Sequence, residues 1–149
     1  MSEMNVTEIM ASVVHTVNPR DPVYRAARMM KDHDIGCLLV VEGDRLRGIV
    51  TDRDLVVRAL HDPATLNHRT MADIMTARPV CCRADDTVNQ AAVIMEQHQV
   101  RRLPVLDRDD RLCGIVTIGD ICTHAPHEVS GTLIEEVSRP AHTLLAETA

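Results

Sequence analysis

The chain has 149 residues, 45% of them hydrophobic and 26% charged, which suits one compact core or two small halves sharing one and excludes general disorder. A net charge of −6 with no basic stripe argues against nucleic acid as a partner, and no apolar run nears the roughly 20 residues that span a bilayer. Five cysteines without framework spacing, and Met1–Asn5 without a basic start or apolar stretch, lead to the expectation of reduced thiols in a cytoplasmic protein.

Val13 to Val17 reads as a short extended segment ending at Asn18-Pro19. Asp21 is expected to cap a helix whose first position is Pro22, with Val23, Ala26, Ala27 and Met30 forming one apolar face at i, i+3, i+4 and i+7. That helix should fail near Asp34-Ile35-Gly36. Cys37 to Val41 is a buried strand, Glu42-Gly43-Asp44-Arg45 a tight turn, and Leu46 to Val50 the hairpin partner. Thr51 then opens a second helix carrying Leu55, Val56, Ala59 and Leu60, and the Pro-, Asn- and His-containing stretch from His61 to Thr70 is a linker.

The same order then recurs. Ile9-Met10 returns 65 residues on as Ile74-Met75, and at that spacing Asp21, Val23, Ala26-Ala27, Met30, His33, Leu38 and Val40 match Asp86, Val88, Ala91-Ala92, Met95, His98, Leu103 and Val105. After one inserted turn residue, Gly48-Ile49-Val50-Thr51 and Asp54 match Gly114-Ile115-Val116-Thr117 and Asp120. Strands Leu103 to Leu106 and Leu112 to Val116 complete the second copy, and Glu128 to Val137 is a terminal helix before Pro140. There is no Trp or Phe and Tyr24 is the lone Tyr, so a flat ligand must be held by aliphatic side chains and backbone.

The motifs Gly48-Ile49-Val50-Thr51-Asp52-Arg53-Asp54 and Gly114-Ile115-Val116-Thr117-Ile118-Gly119-Asp120, with His98-Gln99-Val100-Arg101-Arg102-Leu103-Pro104-Val105, resemble the CBS domain family, named for cystathionine β-synthase. The resemblance implies an α+β fold of tandem CBS repeats, β-α-β-β-α each, packed face to face with pseudo-two-fold symmetry. The expected parts are residues 8–65, residues 73–129 and a C-terminal helix or tail at 130–149. It further implies a regulatory module without catalytic activity, with clefts that take an adenosine nucleotide such as AMP, ADP or ATP, or else S-adenosylmethionine or NAD. A homodimer of pairs is expected, with a separate, unidentified regulated protein as a further partner.

On that reading Thr51 and Thr117 meet a phosphate at a helix start, and Asp54 and Asp120 take the ribose hydroxyls. Ile35, Gly36 and Cys37, or Val100 and Arg101, lie against adenine. Arg53, Arg101 and Arg102 reach phosphates. The first cleft is favoured, because Gly119 stands where the first copy has Arg53 and Pro104 where it has Leu39.

Each motif also has a plainer meaning. Thr-x-x-Asp is a helix-capping box in its own right. Cys122, His124 and His127 could hold zinc, but one buried thiol and two surface imidazoles explain them better, so no metal site is assigned. No P-loop, GxSxG elbow or HExxH motif supports an enzyme. The alternatives to nucleotide sensing are a ligand-free dimeric interaction scaffold and a metal-responsive protein.

Overall fold

A computed structural model describes residues 3–124 and 127–138, apart from the side chains of 128–130. The elements run β1 (Thr16–Val17), α1 (Val23–His33), β2 (Cys37–Glu42), β3 (Arg45–Thr51), α2 (Asp52–Asp54), α3 (Met71–Ile74), β4 (Thr76–Ala77), β5 (Cys82–Arg83), α4 (Val88–His98), β6 (Arg102–Leu106), β7 (Leu112–Thr117), α5 (Ile118–His124) and α6 (His127–Val137). The helix begun by α2 continues as a wider turn over Leu55–Ala59. The fold is α+β with one sheet per repeat, ordered β1-β2-β3-β4 and β5-β6-β7. Residues 139–149 of the expected tail, Pro140 included, lie outside the described residues.

The two repeats obey the same local rules. Both α1 and α4 stop at a residue in the left-handed region, Asp34 at φ 52° and Gln99 at φ 51°, which frees the chain to turn into β2 and β6. The expected cap on α1 is corrected. Pro22, not Asp21, precedes the first helical residue, and the Asp21 carboxylate turns back to accept from the Asn18 N–H at 2.8 Å. Asp86 does the same with the Arg83 N–H at 2.8 Å. These matched aspartates therefore close the turn before each helix.

The compact units are not the two repeats taken whole. One unit joins residues up to Ser12 to Val80–Arg108 and the described residues from Cys113 onward; the other joins Val13–Pro79 to Asp109–Leu112. In the second of these, α3 and β4 cover the first repeat: Met71 N–H donates to Asp21 O at 3.0 Å, and β4 pairs antiparallel with β3 through Gly48↔Ala77 and Ile49↔Thr76. In the other unit the chain's first residues cover the second repeat. Val6 N–H donates to Asp86 O at 2.9 Å, and Ala11 and Ile115 exchange both backbone bonds. Each repeat's leading segment thus closes the other repeat's core. Met71 and Ile74 are fully buried in one core and Val6 in the other, each such side chain contributing about 1.5–3 kcal/mol of apolar burial.

Pro104 has a visible consequence. Its counterpart Leu39 donates its N–H to His15 O at 3.2 Å and sits opposite Thr16 at the start of β1. Proline has no N–H to give. The matching strand β5 starts one residue later, at Cys82, which sits opposite Val105.

Candidate functional site

Two half-sites form where a helix end, a strand start and a Thr-x-x-Asp corner meet inside one repeat. In the first, Ile35 and Gly36 follow α1 and Cys37 opens β2, directly opposite Thr51 at the end of β3. The Asp52 N–H donates to Gly36 O at 3.0 Å and ties the two chain segments together. In the second, Val100 and Arg101 follow α4, Arg102 opens β6, and the Ile118 N–H donates to Arg101 O at 2.8 Å. Ile35, Gly36, Cys37, Thr51, Arg53 and Asp54 come together in one half-site. Val100, Arg101, Arg102, Thr117 and Asp120 come together in the other.

Both Thr-x-x-Asp corners are closed capping boxes. The Thr51 N–H donates to Asp54 Oδ2 at 2.8 Å and the Asp54 N–H to Thr51 Oγ1 at 3.3 Å. The Thr117 N–H donates to Asp120 Oδ2 at 2.8 Å and the Asp120 N–H to Thr117 Oγ1 at 3.2 Å. Capping consumes one carboxylate oxygen in each. The other oxygens differ. Asp54 Oδ1 faces the Arg58 guanidinium at 3.6 Å, whereas Asp120 Oδ1 has no protein partner among the described residues. Arg58 corresponds in the repeat to His124, whose Nδ1 lies 2.8 Å from the Asp120 backbone oxygen and so leaves that carboxylate alone.

The arginines divide as well. Arg53 is exposed, Arg102 is half-buried, and Arg101 Nη2 donates to Ser138 Oγ at 3.2 Å, just beyond α6. Asp52 Oδ1 accepts from the Arg53 N–H at 2.8 Å, and Ile118 at the matching position of the second copy has no carboxylate to do so. Asp52, Arg58 and His124 are neighbours of the corners to which the nucleotide reading gave no role. The Asp54/Arg58 spacing of i, i+4 was the signal that could have found Arg58.

None of the expected site residues lines a separate cavity of about 510 Å³ bordered by Val23, Tyr24, Ala27, Leu55, Leu60 and Leu66. The rim there is apolar and open, with Tyr24 68% and Leu60 55% exposed. Among the described residues no group of three His, Cys, Asp or Glu side chains could hold a metal ion. No helix among them is long and apolar enough to cross a membrane.

The CBS domain profile matches residues 6–61 and 71–127. The chain belongs to the CBS domain family. Among its relatives, an uncharacterized Bacillus subtilis protein, YlbB, is 37% identical over 138 residues, covering 89% of this chain and 90% of YlbB. The structure of Hypoxic Response Protein I with two coordinated zinc ions is 35% identical at a TM-score of 0.73, covering 83% of this chain and all of that one. CBSX2 from Arabidopsis thaliana in complex with AMP is 28% identical at a TM-score of 0.71, covering 80% of this chain and 94% of CBSX2. This CBS pair is a regulatory module.

Proposed function

We propose that this CBS pair senses an adenosine nucleotide, of the AMP or ATP type, and passes the binding event to a separate protein. The observation that carries the reading is the repeated corner itself. In each half-site a backbone bond, Gly36–Asp52 or Arg101–Ile118, ties the segment after the first helix to the Thr-x-x-Asp corner. A carboxylate with an open oxygen accepts hydrogen bonds from ribose hydroxyls. Ile35 and Val100, each partly buried against its own core, supply a flat aliphatic contact for the base. The AMP complex of CBSX2 supports this choice of ligand class.

The second half-site, around Asp120, is the stronger in this reading, because Asp120 Oδ1 has no protein partner among the described residues. That reverses the preference for the first cleft drawn from Arg53 and from Pro104 in place of Leu39. The working assembly is a homodimer, formed through the exposed apolar residues of the first repeat. The regulated protein acts in the cytoplasm, where adenosine nucleotides report energy state.

Thermal unfolding with AMP, ATP, NAD, S-adenosylmethionine and zinc in parallel tests the reading. AMP or ATP at a hundredfold above Kd should stabilise the protein by about 2.7 kcal/mol. No shift with any nucleotide at millimolar concentration defeats the proposal, and a shift with zinc alone would favour a metal-responsive protein.

A further inference from the structure

The two copies of the Thr-x-x-Asp corner differ in one contact that the ligand reading does not require. Arg58 leaves the turn following α2 with its Nε 3.6 Å from Asp54 Oδ1, and its Nη1 donates to Ile74 O at 3.2 Å and Met75 O at 3.4 Å. Its own carbonyl accepts from Arg69 Nη1. The guanidinium is thus held between the carboxylate and the two carbonyls although its side chain is 49% exposed. It bridges the Asp54 carboxylate, whose side chain is only 15% exposed, to the two carbonyls at the end of α3. The same position in the second copy is His124, which bonds to backbone and not to the Asp120 carboxylate.

We infer that Arg58 is a built-in competitor for Asp54, so that the first half-site binds an adenosine ribose more weakly than its own geometry permits. The inference rests on the proposed role of Asp54 and Asp120 in holding ribose. A ribose hydroxyl that donates to Asp54 Oδ1 must share that oxygen with a cation already fixed to Ile74 and Met75. Asp120 carries no such charge. Arg58 is therefore a positioning residue that acts through Asp54.

AMP titration calorimetry on full-length protein tests this, with the Asp120→Ala variant isolating the first half-site. Adding Arg58→Gln to that background should raise AMP affinity two- to five-fold, the size expected when a partly exposed ion pair is removed. Arg58→Lys, which keeps the charge, should return the affinity to the Asp120→Ala value. The gain should vanish when Asp54→Ala is added to Arg58→Gln. A merely structural Arg58 would lower the unfolding temperature on substitution without raising affinity. Unchanged or weakened AMP binding in Asp120→Ala/Arg58→Gln, with Asp54→Ala still abolishing binding, overturns the inference and leaves ribose recognition standing. Absence of AMP binding in the wild type and every variant overturns both.

Discussion

Met75 lies across Gly48 where a side chain would otherwise stand. A Cβ placed on Gly48 would fall 2.5 Å from Met75 Sδ and 2.8 Å from the Thr76 carbonyl oxygen. Met10 and Ala11 crowd Gly114 in the same way, at 2.5 Å and 2.9 Å. The methionine tip can swing aside, but the carbonyl belongs to a paired backbone and cannot. Gly48→Ala and Gly114→Ala should therefore each cost about 1–3 kcal/mol, the range for overpacking a filled site. Urea unfolding of each variant checks this, and a cost below the error of the measurement would show that the leading segments shift freely.

Asp120→Ala should weaken AMP binding by roughly 10- to 100-fold, the loss of charge-assisted bonds worth about 1.5–3 kcal/mol. Asp54→Ala should do less to affinity but more to stability. It removes the partner of the Thr51 N–H and hydroxyl and of Arg58 together, at about 0.5–2 kcal/mol for a lost cap. Calorimetric titration and urea unfolding of both variants separate the two effects, and equal affinity losses would mean that the half-sites are equivalent.

Much of this architecture was readable in the residues. The 65-residue repeat located α1, α4 and both hairpins, because apolar spacing and turn residues act within a few positions of each other. The motif glycines Gly48 and Gly114 were visible, but not their reason. Ile9-Met10 and Ile74-Met75 are interchangeable in pattern. Closing their own repeat or the other one would bury the same side chains, and nothing local distinguishes the two pairings. The unequal corners escaped notice for a different cause. Asp54 and Asp120 are alike in sequence, and only the differing neighbours Arg58 and His124, one helical turn on, set their free oxygens apart.

Stability should fall on the alkaline side through Cys82. The thiol is 2% exposed, and burial, with the Asp86 charge adding to it, pushes its pKa from 9.0 up to about 12. The folded state keeps this proton where the unfolded state loses it. The contribution is complete below pH 9 and is lost as pH rises from there toward about 12. Urea midpoints measured from pH 7 upward should decline more steeply for the wild type than for Cys82→Ala, and parallel slopes would remove Cys82 from the account.

Val56, Val57 and Leu60 are 59%, 54% and 55% exposed on the turn after α2, beside Tyr24, while Leu55 and Ala59 of the same turn are buried. Exposed apolar side chains gathered on one short turn are expected to be covered by a second copy. Light scattering at micromolar concentration should give a particle of about twice 16.5 kDa, and Val56→Glu should shift it toward the monomer. A wild-type particle of 16.5 kDa would rule the dimer out.

The exchange of leading segments also sets an order of events during synthesis. Met71 and Ile74 follow the body of the first repeat closely, so that core can close as soon as β4 has left the ribosome. Val6 and Ile9 have the opposite history. They emerge ahead of both repeats and have no core to enter until α4 and β7 have been made. During translation those early apolar residues must stay exposed until the second repeat is made, so a change at Val6 or Ile9 burdens the repeat that folds last rather than the one beside it in the chain.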